Sequence, residues 1–364
     1  MNVDAFYAEC RRNRRLLSLL FELTYVCDLK CPFCYNEKVR RGDTLNLDAY
    51  ERAFRDGREE GALYLTLTGG EPTLHPRFFD IGALATRLGY SVRVKTNGYG
   101  LDEAFLRRMK REINPYNLDI SIHGATPEVH DAGTGIRGSF DRLCRLIPLA
   151  QACGMRVRLK FPLTRRNEHQ VAEVFALVRS WGIGVDPFAE ISPADDGNLG
   201  AVPLMASLDG VRAMYREYAM AGPRPPSDFL GEEEQDRMIA GAGPEYACGA
   251  GLTALCVDPF GEVYPCVGWR ASVGNIHRNS LREIWQDLPM KRLIEENLKA
   301  GERKRLNPCM EGELFCPGRA HVQYGSALTV YPEAVMMARA RQEAVASLAD
   351  REEGKDGGEK RKDA

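Results

Sequence analysis

Residues 21–34 read FELTYVCDLKCPFC. The apolar segment 21–26 predicts a β-strand, and Cys27, Cys31 and Cys34 follow it on what must be a loop. Three thiolates this close together can converge on one metal centre, and iron–sulfur clusters are held by cysteine thiolates, usually four. Because no fourth cysteine follows nearby, one iron would keep an open position for a chelating ligand. A structural zinc site and a chance spacing are the alternatives.

Outward from this loop, short apolar segments alternate with helical patterns as far as residue 192. The predicted strands are 21–26, 63–68, 91–96, 118–122, 155–161 and 184–190, and the predicted helices are 47–60, 77–88, 102–112, 139–153 and 167–181. Such alternation predicts an α/β fold with a parallel sheet and helical crossovers. Six units fall two short of a full eight-stranded barrel, so we expect a partial, open (β/α)6 barrel with its chemistry at the carboxyl ends of the strands.

Composition excludes several classes of protein. The 364 residues carry 49 basic and 51 acidic side chains, a net charge of −2, which gives no general attraction for nucleic acid or an anionic membrane. No apolar segment approaches the roughly 20 residues of a membrane helix, and no signal peptide is evident. Eleven cysteines, an odd number, argue against a simple disulfide framework and for metal binding in a reducing compartment. We therefore expect a cytoplasmic protein with no nucleic-acid or membrane partner.

The chain divides by composition into six parts. They are a basic N-terminal helix (1–19), the barrel core (20–192), a linker rich in Gly and Pro that contains one helix (193–245), a cysteine-rich extension (246–330), a C-terminal helix (331–349) and a charged tail (350–364). Within the extension, two short strands flank the turn residues 258–261, a hairpin pattern. The high charge of the tail predicts disorder.

Further polar groups follow other predicted strands. Gly69, Gly70 and Glu71 come after the second strand; two glycines let a backbone approach a ligand closely, and a carboxylate can pair with an ammonium group. Asn97 closes the third strand and Ser121 ends the fourth. A plain turn or a buried strand serine would explain the same residues without a ligand.

Together these motifs resemble the radical S-adenosylmethionine (SAM) superfamily. The cysteine loop is similar to its CxxxCxΦC motif, with Phe33 as the aromatic residue, and Gly69-Gly70-Glu71 is similar to its GGE motif. The resemblance implies a [4Fe–4S] cluster on the three cysteines and SAM contacts from a set of residues near it. That set comprises Phe33, Gly69, Gly70, Glu71, Asn97 and Ser121.

The same resemblance implies an activity. A low-potential flavodoxin or ferredoxin would reduce the cluster, SAM would be cleaved to a 5′-deoxyadenosyl radical, and the radical would abstract hydrogen from a substrate. Whether SAM acts as a cofactor or a co-substrate stays open. No general base is assigned, although His123 after the fourth strand is the histidine best placed to face a substrate.

A second cysteine group lies in the extension, at Cys248, Cys266, Cys309 and Cys316. Its pattern resembles the SPASM and twitch extensions, which carry auxiliary iron–sulfur clusters. A full SPASM domain has seven cysteines and two clusters, so four thiolates here predict one auxiliary [4Fe–4S] cluster. Zinc on the same thiolates is the alternative, and Cys256, within the hairpin, is expected in the core.

The substrate is less well determined than the chemistry. Many SPASM-type enzymes modify peptides, so maturation of a peptide or protein is the leading hypothesis. A dehydrogenase or tailoring enzyme for a small molecule (an alcohol or a tetrapyrrole side chain) is the second hypothesis, because the cysteine deficit favours it. A non-catalytic iron–sulfur electron carrier is the third, and the incompletely ligated three-cysteine loop argues against it.

Overall fold

The computed structural model describes residues 6, 9–10, 12–36, 42–220, 248–305 and 316–359. None of the described helices is long and apolar enough to cross a membrane. Cys309, predicted to be a cluster ligand, lies outside the described residues, as do residues 221–245 of the predicted linker.

Six parallel strands form the larger part of one open sheet, in the order β6-β5-β4-β3-β2-β1. They are β1 (Ser18–Glu22), β2 (Tyr64–Thr68), β3 (Ser91–Thr96), β4 (Asn117–Ser121), β5 (Val157–Pro162) and β6 (Gly184–Phe188). The helices between and after them are α1 (Leu47–Glu59), α2 (Phe78–Arg87), α3 (Glu103–Glu112), α4 (Pro127–Thr134), α5 (Ser139–Ala152), α6 (Val171–Ser180) and α7 (Leu208–Met220). The predicted α/β class and parallel sheet are confirmed.

The two faces of the strands have different chemistry, because successive side chains of a strand point to opposite sides. Val92 and Val94 of β3 belong to the main apolar core, which also contains helix residues such as Ile81. The alternate residue Arg93 is fully buried on the other face, where it lies 3.9 Å from Asp119 of β4. The sheet therefore has an apolar face under the helices and a charged opposite face.

The cysteine-rich extension continues this sheet instead of standing apart from it. Strand β7 (Ala254–Val257) pairs in parallel with β1, and the antiparallel strands β8 (Glu262–Tyr264) and β9 (Gly274–Asn275) follow at the edge. An open sheet leaves the β1 edge with unpaired backbone groups, and β7 satisfies them. The hairpin was predicted, but its attachment to β1 was not, because no local pattern specifies which edge a hairpin covers.

The C-terminal part is helical: α8 (Leu281–Gln286), α9 (Leu288–Arg305), α10 (Pro317–Tyr324) and α11 (Pro332–Glu359). Helices α4 and α10 were not predicted. Helix α11 continues past the predicted boundary at 349, into the segment for which charge predicted disorder. Glu, Arg and Lys are good helix formers and extend a helix that has already begun.

The first strand also differs from its prediction. Strand β1 covers Ser18–Glu22, whereas residues 21–26 were predicted to form it, so the strand ends at the charged residue Glu22.

Candidate radical SAM site

The three-cysteine loop leaves the carboxyl end of β1, at the edge of the sheet where the sequence placed the chemistry. Cys27 and Cys31 are half-buried, and Cys34 is exposed. The loop is attached to the rest of the barrel by the Lys30 N–H, which donates to the carbonyl of Thr134 at the end of α4 (2.8 Å). Helix α4, which sequence reasoning missed, therefore supports the cysteine loop.

The chemistry of this donor set fits an iron–sulfur cluster. Cys27, Cys31 and Cys34 supply three thiols within one short loop, and cysteine thiolate is the usual ligand of such clusters. Within the described ranges, no three His, Cys, Asp or Glu side chains already stand together as a metal-binding group. The loop thus brings three thiols, the ligand type that such a cluster uses, to one end of the sheet.

The two glycines of the GGE motif are required by a close approach to the chain itself. A Cβ at Gly69, whose φ is +140°, would lie 2.3 Å from the carbonyl oxygen of Thr24, and one at Gly70 would lie 2.4 Å from that of Val26. The N–H groups of Gly70 and Glu71 donate to these same two carbonyls, at 2.6 and 2.8 Å. The motif therefore fixes the segment that leads into Cys27. Contact between the glycines and SAM stays a prediction.

Glu71 links the ends of β2 and β3. Its carboxylate is 1% exposed and accepts four hydrogen bonds: from the Thr73 N–H (3.1 Å) and hydroxyl (2.6 Å), the Thr96 hydroxyl (2.7 Å) and the Asn97 N–H (2.7 Å). Burial raises the pKa of Glu71, and the hydrogen bonds oppose that rise. The carboxylate is thus held by the protein's own donors, and its predicted role toward the SAM ammonium group stays a prediction.

Asn97 connects Glu71 to the cysteine loop by hydrogen bonds. Its side-chain Nδ2 donates to Oδ1 of Asp28 at 2.7 Å and lies 3.7 Å from Sγ of Cys27, while its Oδ1 accepts from the Tyr99 N–H at 2.7 Å. One residue at the end of β3 therefore contacts both the GGE motif and the first cysteine. The sequence had placed both at one sheet edge, and the structure connects them through Asn97.

Ser121 ends β4 among charged neighbours that sequence reasoning missed. Its register partner is Lys160 of β5, whose Nζ lies 2.5 Å from Asp186 of β6 and 3.7 Å from Asp119. The arginine Arg158 also pairs with Asp186. The signal was present in the sequence, as charged residues at every second position of otherwise apolar strands. The role of Ser121 toward SAM stays a prediction.

Phe33, the aromatic residue of the loop, lies against a buried histidine pair. Its ring centroid is 5.2 Å from that of His123, which is 5.4 Å from that of His130. Burial, with a smaller contribution from His130, lowers the pKa of His123 to about 3, and burial lowers the pKa of His130 to about 4. Both imidazoles are therefore neutral near pH 7, and His123 lies beside the loop, as its position after β4 suggested.

The three C-terminal cysteines that the structure describes lie in one region, although they do not form a metal-binding group as they stand. Cys316 caps α10, where its Sγ accepts from the Arg319 N–H at 3.3 Å. Burial raises the pKa of the Cys316 thiol well above its usual value, and the nearby Cys266 and Cys248 raise it further. Cys256 is fully buried, as predicted for a core residue. The hairpin and α10 thus bring Cys248, Cys266 and Cys316 into one neighbourhood.

Comparison with known proteins agrees with this geometry. The family model of the radical SAM superfamily matches residues 21–178, and the model of SPASM, an iron-sulfur cluster-binding domain, matches residues 248–311. The chain contains a radical SAM domain followed by a SPASM domain. A radical SAM domain implies a [4Fe–4S] cluster and SAM, and a SPASM domain implies auxiliary iron–sulfur clusters.

Curated relatives of this radical SAM–SPASM chain include two that act in biosynthesis or maturation. The antilisterial bacteriocin subtilosin biosynthesis protein AlbA of Bacillus subtilis is 28% identical over 273 residues, which cover 74% of this chain and 59% of AlbA. The mycofactocin maturase MftC of Mycobacterium tuberculosis is 27% identical over 303 residues, 78% of this chain and 74% of MftC. The chain thus spans less than two thirds of AlbA.

Solved structures share the fold. Native anSMEcpe with bound AdoMet superposes with a TM-score of 0.66 at 17% identity, covering 92% of this chain and 98% of that one. Streptococcus suis SuiB bound to S-adenosylmethionine gives a TM-score of 0.59 at 17% identity, covering 76% and 66%. These likenesses confirm the architecture of the radical SAM–SPASM chain.

Proposed function

We propose that this chain is a radical SAM enzyme that matures a peptide. The observation that carries the proposal is the contact chain from Glu71 through Asn97 to the loop of Cys27, at the carboxyl edge of the parallel sheet. It joins the residues that would hold SAM to those that would hold the cluster. An electron carrier has no need of such a second site beside its thiolates.

In this proposal Cys27, Cys31 and Cys34 would hold a [4Fe–4S] cluster, and SAM would bind beside it. When bound, the two cofactors supply the one-electron chemistry that removes a hydrogen atom from an unactivated carbon. The chain's own residues orient and shield that chemistry. The main chain at Gly69 and Gly70, with Glu71, Asn97, Ser121 and Phe33, forms the SAM-binding wall.

The charged face of the sheet would receive the substrate. Lys160 of β5 is the register partner of Ser121 and pairs with Asp186 of β6, and neutral His123 lies beside Phe33. A peptide backbone offers both hydrogen-bond donors and acceptors to such a surface. The names of AlbA and MftC, a biosynthesis protein and a maturase, support a peptide as the substrate.

Cys248, Cys266, Cys309 and Cys316 would hold one auxiliary [4Fe–4S] cluster in the SPASM domain. Four thiolates saturate a four-iron cluster, so this site would pass electrons and not bind SAM. A low-potential flavodoxin or ferredoxin would supply the first electron.

The enzyme activity is tested with anaerobically reconstituted, reduced protein and SAM. We expect 5′-deoxyadenosine to form, and to be lost in Cys27→Ala but retained in Cys144→Ala, a half-buried cysteine outside both groups. Iron analysis should give about eight irons per chain, and about four in Cys248→Ala/Cys266→Ala. Absence of 5′-deoxyadenosine with every reductant would contradict the proposed activity.

The substrate class is tested separately, by mass spectrometry of short peptides encoded beside the gene after incubation with the enzyme and SAM. A mass change or crosslink that requires both SAM and Cys31 supports peptide maturation. Turnover of an alcohol or a tetrapyrrole side chain with no change in any peptide would favour the small-molecule alternative.

A further inference from the structure

A buried ion pair joins the radical SAM domain to the cysteine hairpin. Glu22, the last residue of β1, is fully buried, and Arg270 lies in the segment after β8. Nη1 and Nη2 of Arg270 donate to Oε2 and Oε1 of Glu22 at 2.8 and 2.9 Å. This is a bidentate, charge-assisted pair, the strongest geometry available to an arginine and a carboxylate.

The same guanidinium also holds the segment that follows β6. Nε of Arg270 lies 2.8 Å from Oδ1 of Asp195, and the Asp195 N–H donates to the carbonyl of Tyr35 at 2.9 Å. The Tyr35 hydroxyl in turn donates to Oε1 of Glu22 at 2.9 Å. The four residues therefore close a ring of contacts, which we call the Arg270 ring: Glu22, Arg270, Asp195 and Tyr35.

The Arg270 ring lies between the two cysteine groups. Tyr35 directly follows Cys34, and Arg270 lies four residues after Cys266. A cavity of about 50 Å³ lies against Tyr35, Asp195 and Arg270 and also against Val267 and Gly268. The residues next to a cysteine of each group thus line one interior space.

The charge of the ring is unbalanced and shielded from water. The side chains of Arg270, Asp195 and Glu22 are 9%, 3% and 0% exposed, and they carry one positive and two negative charges. Electrostatic interactions between buried groups are screened far less than those at the surface. A charge change in this ring therefore acts on a metal centre held by the neighbouring loop.

We propose that Arg270 is a positioning residue that fixes the cysteine loop against the auxiliary hairpin, and that its charge tunes the reduction potential of the SAM-binding cluster. The inference rests on the proposed assignment of Cys27, Cys31 and Cys34 as the ligands of that cluster. It adds a residue of the SPASM domain to the machinery that controls the first electron transfer.

The test uses the full-length reconstituted protein at pH 8 and a reductive titration followed by electron paramagnetic resonance, with the SAM-binding cluster assigned by the change in its signal when SAM is added. Arg270→Met takes the ring from one net negative charge to two, so its cluster should be harder to reduce. Glu22→Gln takes the ring to neutrality, so its cluster should be easier to reduce. Each shift should be roughly tenfold in the reduction equilibrium, which is about 59 mV for a one-electron couple.

The double variant Glu22→Gln/Arg270→Met restores one net negative charge and should return the potential toward that of the wild type. Arg278→Met is the matched control, since Arg278 belongs to the same region but its side chain is 73% exposed. The reduction potential of the SAM-binding cluster in Arg278→Met should equal that of the wild type. A general loss of stability cannot shift the reduction potential in opposite directions in the two single variants. A purely structural role of Arg270 therefore predicts no shift, or shifts in the same direction.

Two outcomes overturn the inference. If Arg270→Met and Glu22→Gln lower the melting temperature but leave the potential unchanged, or shift it in the same direction, Arg270 has only a structural role. If Arg270→Met binds no iron, the sign of the Glu22→Gln shift decides alone. A cluster signal that still changes on addition of SAM in Cys27→Ala would instead contradict the ligand assignment, so the two failures are distinguishable.

Discussion

Replacing Asn97 by aspartate tests the link between the SAM-binding wall and the cysteine loop while exchanging only the amide nitrogen for oxygen. The new carboxylate would keep an oxygen for the Tyr99 N–H, and the backbone N–H that donates to Glu71 is untouched. Only the donor Nδ2 is lost, and an oxygen takes its place 2.7 Å from Oδ1 of Asp28. The substitution therefore exchanges one hydrogen bond for repulsion between two carboxylates.

The expected loss of stability has two parts, the lost hydrogen bond and the new repulsion between carboxylates. A hydrogen bond to a charged group contributes about 1.5–3 kcal/mol. Two like charges that relax to about 4 Å repel by about 4 kcal/mol at an effective dielectric constant of about 20. Because Asn97 and Asp28 are half-buried and can rotate apart, solvent screens part of the repulsion. We expect Asn97→Asp to reduce the free energy of unfolding by about 2–4 kcal/mol at pH 7.

Urea unfolding of the apoprotein measures this loss, and the iron content after reconstitution measures its effect on the cysteine loop. Repulsion raises the folded-state pKa of one of the two carboxyls, so the defect should shrink as the pH falls below that raised pKa. Asn114→Asp, at an exposed position, is the control. If Asn97→Asp unfolds within about 0.5 kcal/mol of the wild type and binds the same iron, the proposed link is wrong.

Three other substitutions have definite expectations. Gly70→Ala should lower the free energy of unfolding by about 1–3 kcal/mol in urea titrations, because its Cβ would lie 2.4 Å from the carbonyl oxygen of Val26. His130→Gln should flatten the pH dependence of the free energy of unfolding. Burial lowers the folded-state pKa of His130 to about 4, so its stabilising contribution is complete above about pH 6.5 and is lost as the pH falls toward 4. Unfolding curves of the wild type should therefore lose about 1.4 kcal/mol per pH unit from this residue, and those of the variant should not. Lys160→Met should cost about 3 kcal/mol, because it leaves the buried Asp186 with less positive charge, and differential scanning calorimetry would show the fall in melting temperature.

Each of these has a matched control that should change little. Gly100→Ala adds a Cβ no closer than 3.7 Å to a neighbour, and His169→Gln and Lys291→Met alter exposed side chains. A Gly70→Ala variant as stable as Gly100→Ala would contradict the close backbone approach. An unchanged pH slope in His130→Gln would show that this imidazole is protonated as readily in the folded chain as in the unfolded one. A Lys160→Met variant as stable as Lys291→Met would contradict the buried charge network.

Local pattern in the sequence was enough for the order of strands β1 to β6, although it missed helix α4, and for the type of cofactor that the first site indicates. The strand and helix periods of residues 63–188 gave the parallel sheet, since apolar spacing reflects which side of an element is buried. Cys27, Cys31 and Cys34 lie so close in the chain that their grouping needs no tertiary contact. The same is true of Gly69-Gly70-Glu71, and the structure adds a second reason for the glycines, their close approach to residues 24–26.

Only the tertiary structure decided what depends on distant pairs. Glu22 is visible in the sequence as a charge at the end of a strand, but its partner Arg270 lies 248 residues away, and no period or spacing connects them. The pairing of β7 with β1 and the approach of Cys316 to Cys266 have the same character. Short-range patterns show which face of an element is buried. The packing of the whole chain decides which elements meet and which charged groups pair across them.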